Sequence, residues 1–113
     1  MTLTFNDTHE CKLTTRALID IEKELGVNPL NALFDEDIPE INILVTILHY
    51  ALKACNKSIT KDATYDIVDE YYENGGDFRS LSQFILELYK ASGLLRIPDD
   101  ANTTDDNTGT EKN

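Results

Sequence analysis

Ile41-Asn42-Ile43-Leu44-Val45-Thr46-Ile47-Leu48-His49-Tyr50-Ala51-Leu52-Lys53-Ala54-Cys55 is the stretch whose reading decides the fold. Polar residues fall only at Asn42, Thr46, His49 and Lys53, and Asn56 continues the series. At 100° per residue these five project onto one stripe roughly 80° wide. A helix wet on so narrow a stripe is a core helix, and its other sides must be covered by the rest of the chain. It is too short and too polar to span a bilayer, which takes about 20 mostly apolar residues.

Working outward, each neighbouring segment offers a face for that helix. Thr2 to Leu13 alternates: Leu3 and Phe5 share one side, Cys11 and Leu13 share one, and Asn6-Asp7-Thr8 supplies turn chemistry between them. This predicts a short β-hairpin whose apolar side lies on the helices, since two strands alone are marginal. Thr14 or Thr15 is the expected N-cap of a helix running to Leu25, with Leu18, Ile21 and Leu25 inward and Gly26 as its stop. Asn28-Pro29 restarts a short helix bearing Leu30, Leu33 and Phe34, and Asp35-Glu36-Asp37 reads as an exposed loop. Pro39 opens the central helix, with Glu40 near its positive end.

Beyond Asn56, Thr60 caps a helix with Ala63, Ile67, Val68 and Tyr71 inward and Asp66, Asp69, Glu70 and Glu73 outward. Gly75-Gly76 stops it. Asp77 caps the last helix, Phe78 to Ser92, whose stripe is Leu81, Phe84, Ile85 and Leu88, and Gly93 ends it. The fold class expected is mainly α (α+β): an N-terminal β-hairpin packed on a compact bundle of four main helices plus one short helix. Residues 1–97 form a single domain. From Asp99 onward only Ala101 is apolar, so residues 98–113 read as a disordered, acidic, polar tail.

The chain has 113 residues, which allows one domain and one core. Its net charge of -11 argues against nucleic-acid binding, whose usual footprint is basic, and favours solubility and a basic partner. No signal or transit peptide precedes the first expected element, and with only Cys11 and Cys55 present the reading is a cytoplasmic protein whose two reduced thiols are small core residues.

Catalytic and cofactor chemistry finds no foothold. His9, Cys11, His49 and Cys55 do not fall in paired metal-ligand spacings, and His49 on the polar stripe reads as solvated. The acidic runs lack the glycine and the terminal glutamate of a calcium loop. No nucleophile motif or phosphate-cradling loop occurs, and carboxylates such as Asp69 and Glu73 sit on a polar face as solubility charges. The expectation is a non-enzymatic protein with no cofactor or metal.

Tyr65, Tyr71, Tyr72 and Phe78 cluster around the second glycine stop. Neighbours on a helix point about 100° apart, so Tyr71 and Tyr72 cannot both face one core centre. Tyr72, Phe78, Leu94, Leu95 and Ile97 are the candidate partner-binding residues: two flank Gly75-Gly76 and three follow Gly93. The competing reading folds Leu94, Leu95 and Ile97 back over the core end, as the hydrophobic contact after a helix-stopping glycine often does.

The order of motifs — a leading hairpin, Leu13-Thr14-Thr15-Arg16-Ala17-Leu18, Leu25-Gly26-Val27-Asn28-Pro29-Leu30, the apolar helix, Tyr65-Asp66 with Asp69-Glu70-Tyr71, Gly75-Gly76-Asp77 and a helix ending at Gly93 — resembles the tail assembly chaperones of long-tailed bacteriophages, in the group found in phages and prophages of Gram-positive bacteria. The resemblance covers Met1 to about Ile97. It implies a non-enzymatic protein of the host cytoplasm, made late in infection and absent from the mature virion. Its partners would be the tape measure protein, whose long apolar helical chain it keeps soluble, and the tail tube protein, whose polymerisation it assists; self-association is a further expectation. It also implies a frameshifted longer product joined after Pro98. The resemblance assigns no individual functional residue. A small acidic adaptor or regulatory protein binding a basic partner is the alternative reading, with no nucleic acid or membrane involved in either.

Overall fold

The structure, a computed structural model, describes residues 2–34 and 40–93. Two strands, β1 (Leu3–Phe5) and β2 (His9–Cys11), are followed by α1 (Thr15–Leu25), α2 (Pro29–Phe34), α3 (Ile41–Lys53), α4 (Lys61–Glu73) and α5 (Phe78–Ser92). The strands pair antiparallel with Leu3 opposite Cys11 and Phe5 opposite His9. Asn6 and Asp7 turn the chain at φ 53° and 66°, and the Thr8 amide donates to the Phe5 carbonyl at 3.3 Å. Short polar side chains tolerate this left-handed backbone better than any others except glycine.

Local chemistry sets the helix ends. Thr14 Oγ1 accepts from the Ala17 amide at 3.1 Å, and Thr60 Oγ1 from the Ala63 amide at 3.0 Å. Asp77 and Ser80 form a reciprocal capping box that starts α5. Gly26 ends α1 at φ 75°, where a Cβ would be strained. The α3 helix stops at Lys53, two residues earlier than the apolar run suggests, and its Ala51 carbonyl accepts from the Lys12 amide at 3.1 Å. That bond ties the hairpin to the end of α3 and satisfies one of the carbonyls that a helix C-terminus leaves unpaired.

The α3 helix is the hub: α1, α2, α4, α5 and β2 all pack on it, while β1 packs on α5. Leu44, Ile47, Leu48 and Ala51 are fully buried among Ile21, Leu81, Ile85, Leu88 and Tyr89. The hairpin contributes Phe5 and Cys11, as the alternation requires. Four expectations need correction. Ile41 is 47% exposed, because it stands at the first turn of α3 beyond the reach of the packed helices. Cys55, past the end of α3, is exposed while Cys11 is buried. Thr46 and His49, read as wet, are buried. The polar stripe is covered in its middle by α4 and stays exposed only at Asn42, Lys53 and Asn56.

The burial of His49 is made tolerable by one side chain of α4. His49 Nδ1 lies 2.9 Å from Thr64 Oγ1, and that hydroxyl donates its single proton to the Thr60 carbonyl at 3.1 Å. Nδ1–H is therefore the donor to Thr64, which selects the Nδ1–H tautomer of the neutral imidazole. Burial pushes its pKa below the ordinary 6.5, and the Lys61 and Lys53 charges push the same way against Glu24. The unfolded chain thus takes up a proton that the folded chain refuses. His49 contributes its full share above about pH 6.5, and that share is lost as the pH falls through the lower folded value. Relative to His49→Gln, the wild-type melting temperature is expected to fall on going from neutral to mildly acid pH. Parallel melting curves for the two proteins across that range would contradict the assignment.

Four expectations fall on residues outside those described: the Asp35-Glu36-Asp37 loop, the opening role of Pro39, the placement of Leu94, Leu95 and Ile97, and the tail 98–113.

Candidate functional site

The turn between α4 and α5 carries the two described members of the sequence-derived set. The Gly75 amide donates to the Tyr72 carbonyl at 3.2 Å and the Gly76 amide to the Tyr71 carbonyl at 3.0 Å, which closes α4 tightly. Gly76 lies against the Tyr71 ring, where a Cβ would come within 2.4 Å of ring carbons. That ring has little freedom to yield. Its centroid is 4.6 Å from that of Phe5, which in turn meets Phe84 edge-on at 5.0 Å, and its hydroxyl bonds Ser80. The close approach of ring and backbone is what the second glycine permits.

Tyr71 and Tyr72 both touch the core cluster, each half-buried, with ring centroids 6.0 Å apart. The sequence placed at least one of them at the edge, and both lie there, Tyr71 against Phe5 of the hairpin and Tyr72 beside Tyr71. Burial raises the Tyr72 phenol pKa, and neighbouring Tyr71, Asp69 and Asp77 raise it further, so its hydroxyl is a neutral donor among acids. Phe78 opens α5 on the other side of the turn and is likewise half-buried against the core. Leu94, Leu95 and Ile97 lie outside the described residues, so only Tyr72 and Phe78 are placed.

Among the described residues the most exposed large apolar side chains are others: Ile41 and Tyr65 at 47%, Ile19 at 46% and Val27 at 44%. Ile19 was legible in principle, since it follows Leu18 and so points about 100° away from the inward stripe of α1. Tyr65 sits on the acidic outer face of α4 beside Asp62, Asp66 and Asp69, all exposed.

Two clefts remain. One, of about 340 Å³, brings His9, Glu10, Cys55, Asn56 and Ile59 together. No hydrogen bond links His9 to Cys55, and the nearby Cys11 thiol is pushed up to about 12 by burial and by Cys55. Such a buried thiol is inert, and an activated cysteine pair is not formed. The other, of about 470 Å³, lies between the start of α1 and the end of α3 and is lined by Arg16, Asp20, Tyr50, Lys53 and Lys57 among others. Among the described residues no group of three or more His, Cys, Asp or Glu could hold a metal ion, and no helix is long and apolar enough to cross a membrane.

Comparison with protein-family models, with curated proteins and with solved structures gave no match.

Proposed function

We propose that this chain is a tail assembly chaperone of a long-tailed bacteriophage, a non-enzymatic protein that binds the tape measure protein and assists tail tube polymerisation in the host cytoplasm without entering the mature virion. The observation that carries the reading is the order of elements: a hairpin, then helices begun by Thr14, Thr60 and Asp77 and closed at Gly26, Gly75-Gly76 and Gly93, around one apolar helix. This is the order on which the resemblance to the family rests. Two physical features support it. A net charge of -11 keeps a chaperone and its bound client dispersed. Half-exposed apolar side chains such as Ile19, Val27, Ile41 and Tyr65, together with the rim residues Tyr72 and Phe78, offer contacts for an amphipathic client helix.

One observation favours the adaptor alternative. The outer face of α4 exposes Asp62, Asp66, Asp69, Glu70 and Glu73, which would attract a basic partner. Affinity capture with the tagged chain from phage-producing cells separates the readings. The chaperone reading expects tape measure or tail tube protein among the captured partners. A basic regulatory protein captured alone would reject it in favour of the adaptor.

A further inference from the structure

The chain is acidic, yet three of its ten lysines and arginines line one cleft. Arg16 comes from the first turn of α1, Lys53 from the last turn of α3 and Lys57 from the turn that follows. None of the three lies within ion-pair distance of a carboxylate among the described residues; Lys12, Lys23 and Arg79 are likewise without an ion pair but line neither cleft, so it is the grouping of Arg16, Lys53 and Lys57 that sets them apart. Cations left unpaired and grouped, on a protein with twenty-one acidic residues to choose from, mark a place where negative charge is expected from outside.

The walls are built as well as charged. The Tyr50 hydroxyl donates to Glu24 at 2.8 Å, which fixes its ring in the cleft, and Lys53 Nζ stands 5.9 Å from that ring's centroid. Ala54 and the Tyr50 ring supply apolar surface between the charges. Asp20 stands one turn along α1 from Arg16 and makes one end of the cleft unfavourable for an anion.

We propose that this cleft binds an acidic peptide segment of a protein partner, through two or more carboxylates. A phosphate ion suits it less. The cations come from three separate positions around an open space much larger than that ion, and the intervening wall is apolar, which matches the aliphatic stems of glutamate side chains. The proposal stands on this cleft alone and does not depend on the chaperone reading.

The test uses the full chain and a labelled tetra-glutamate peptide, followed by fluorescence anisotropy. Saturable binding is expected, weakening several-fold between about 50 and about 300 mM salt. Arg16→Gln with Lys57→Gln should weaken it about fivefold or more, since each exposed charge contact is modest. Lys23→Gln with Arg79→Gln makes the same change in net charge outside the cleft and should leave binding within about twofold. Both double variants alter exposed residues, and unchanged melting would show that they fold. Absence of binding, an equal loss in the two double variants, or displacement of the peptide by an equal concentration of inorganic phosphate would each overturn the proposal.

Discussion

Leu48→Asp is expected to leave no cooperatively folded domain at 25 °C. Leu48 is fully buried in the middle of α3, the helix on which every other helix packs. The substitution removes an aliphatic side chain whose burial contributes about 2–3 kcal/mol. It also places a carboxylate where no cation reaches it, at a further cost of several kcal/mol. Together these approach or exceed a whole stability of about 5–15 kcal/mol. The control is Ile19→Asp on the half-exposed face of α1, expected to change stability by less than about 1 kcal/mol. Far-UV circular dichroism on heating checks both, and a Leu48→Asp protein melting within a few degrees of wild type would place α3 wrongly.

Tyr89 should show the second largest effect. Its ring is fully buried, and its hydroxyl donates at 2.8 Å to the Pro29 carbonyl, sixty positions away in the chain. Burial pushes the phenol well above its usual range, so the hydroxyl stays a donor at any working pH. Tyr89→Ala removes the ring and is expected to cost about 3–5 kcal/mol. Tyr89→Phe keeps the ring but removes this second hydrogen bond to the first carbonyl of α2, and should cost about 1 kcal/mol. Urea midpoints measure the difference. A Phe variant as stable as wild type would show that the hydroxyl does not tie α2 to α5.

These two positions also mark how far the sequence could be read. Leu48 follows from periodicity, and the caps Thr14, Thr60 and Asp77 with the stops Gly26 and Gly93 follow from the chemistry of helix ends, which is local. Tyr89 was missed because it stands beside Leu88, off the main stripe of α5, and its partner is remote in sequence. His49 was misread for a related reason, whereas the buried Thr46 hydroxyl has no hydrogen-bond partner among the described residues. Periodicity reports where polar side chains lie but not whether another helix brings them a partner, and Thr64 does so for His49. At the candidate site the glycine turn was legible, while the Phe5-Tyr71-Phe84 ring contacts, which join β1, α4 and α5, link residues remote in sequence and left no local signal. The cationic cleft left no sequence signal, because Arg16 and Lys57 meet only through the packing of α1 on α3.

The proposed chaperone role is tested most directly by client solubility. The tape measure protein of the same genome would be expressed alone and together with this chain, and its soluble fraction measured after centrifugation. Co-expression is expected to move most of the tape measure protein into the soluble fraction, in complex with this chain. A tape measure protein equally insoluble in both cases, with this chain folded and unbound, would contradict the reading.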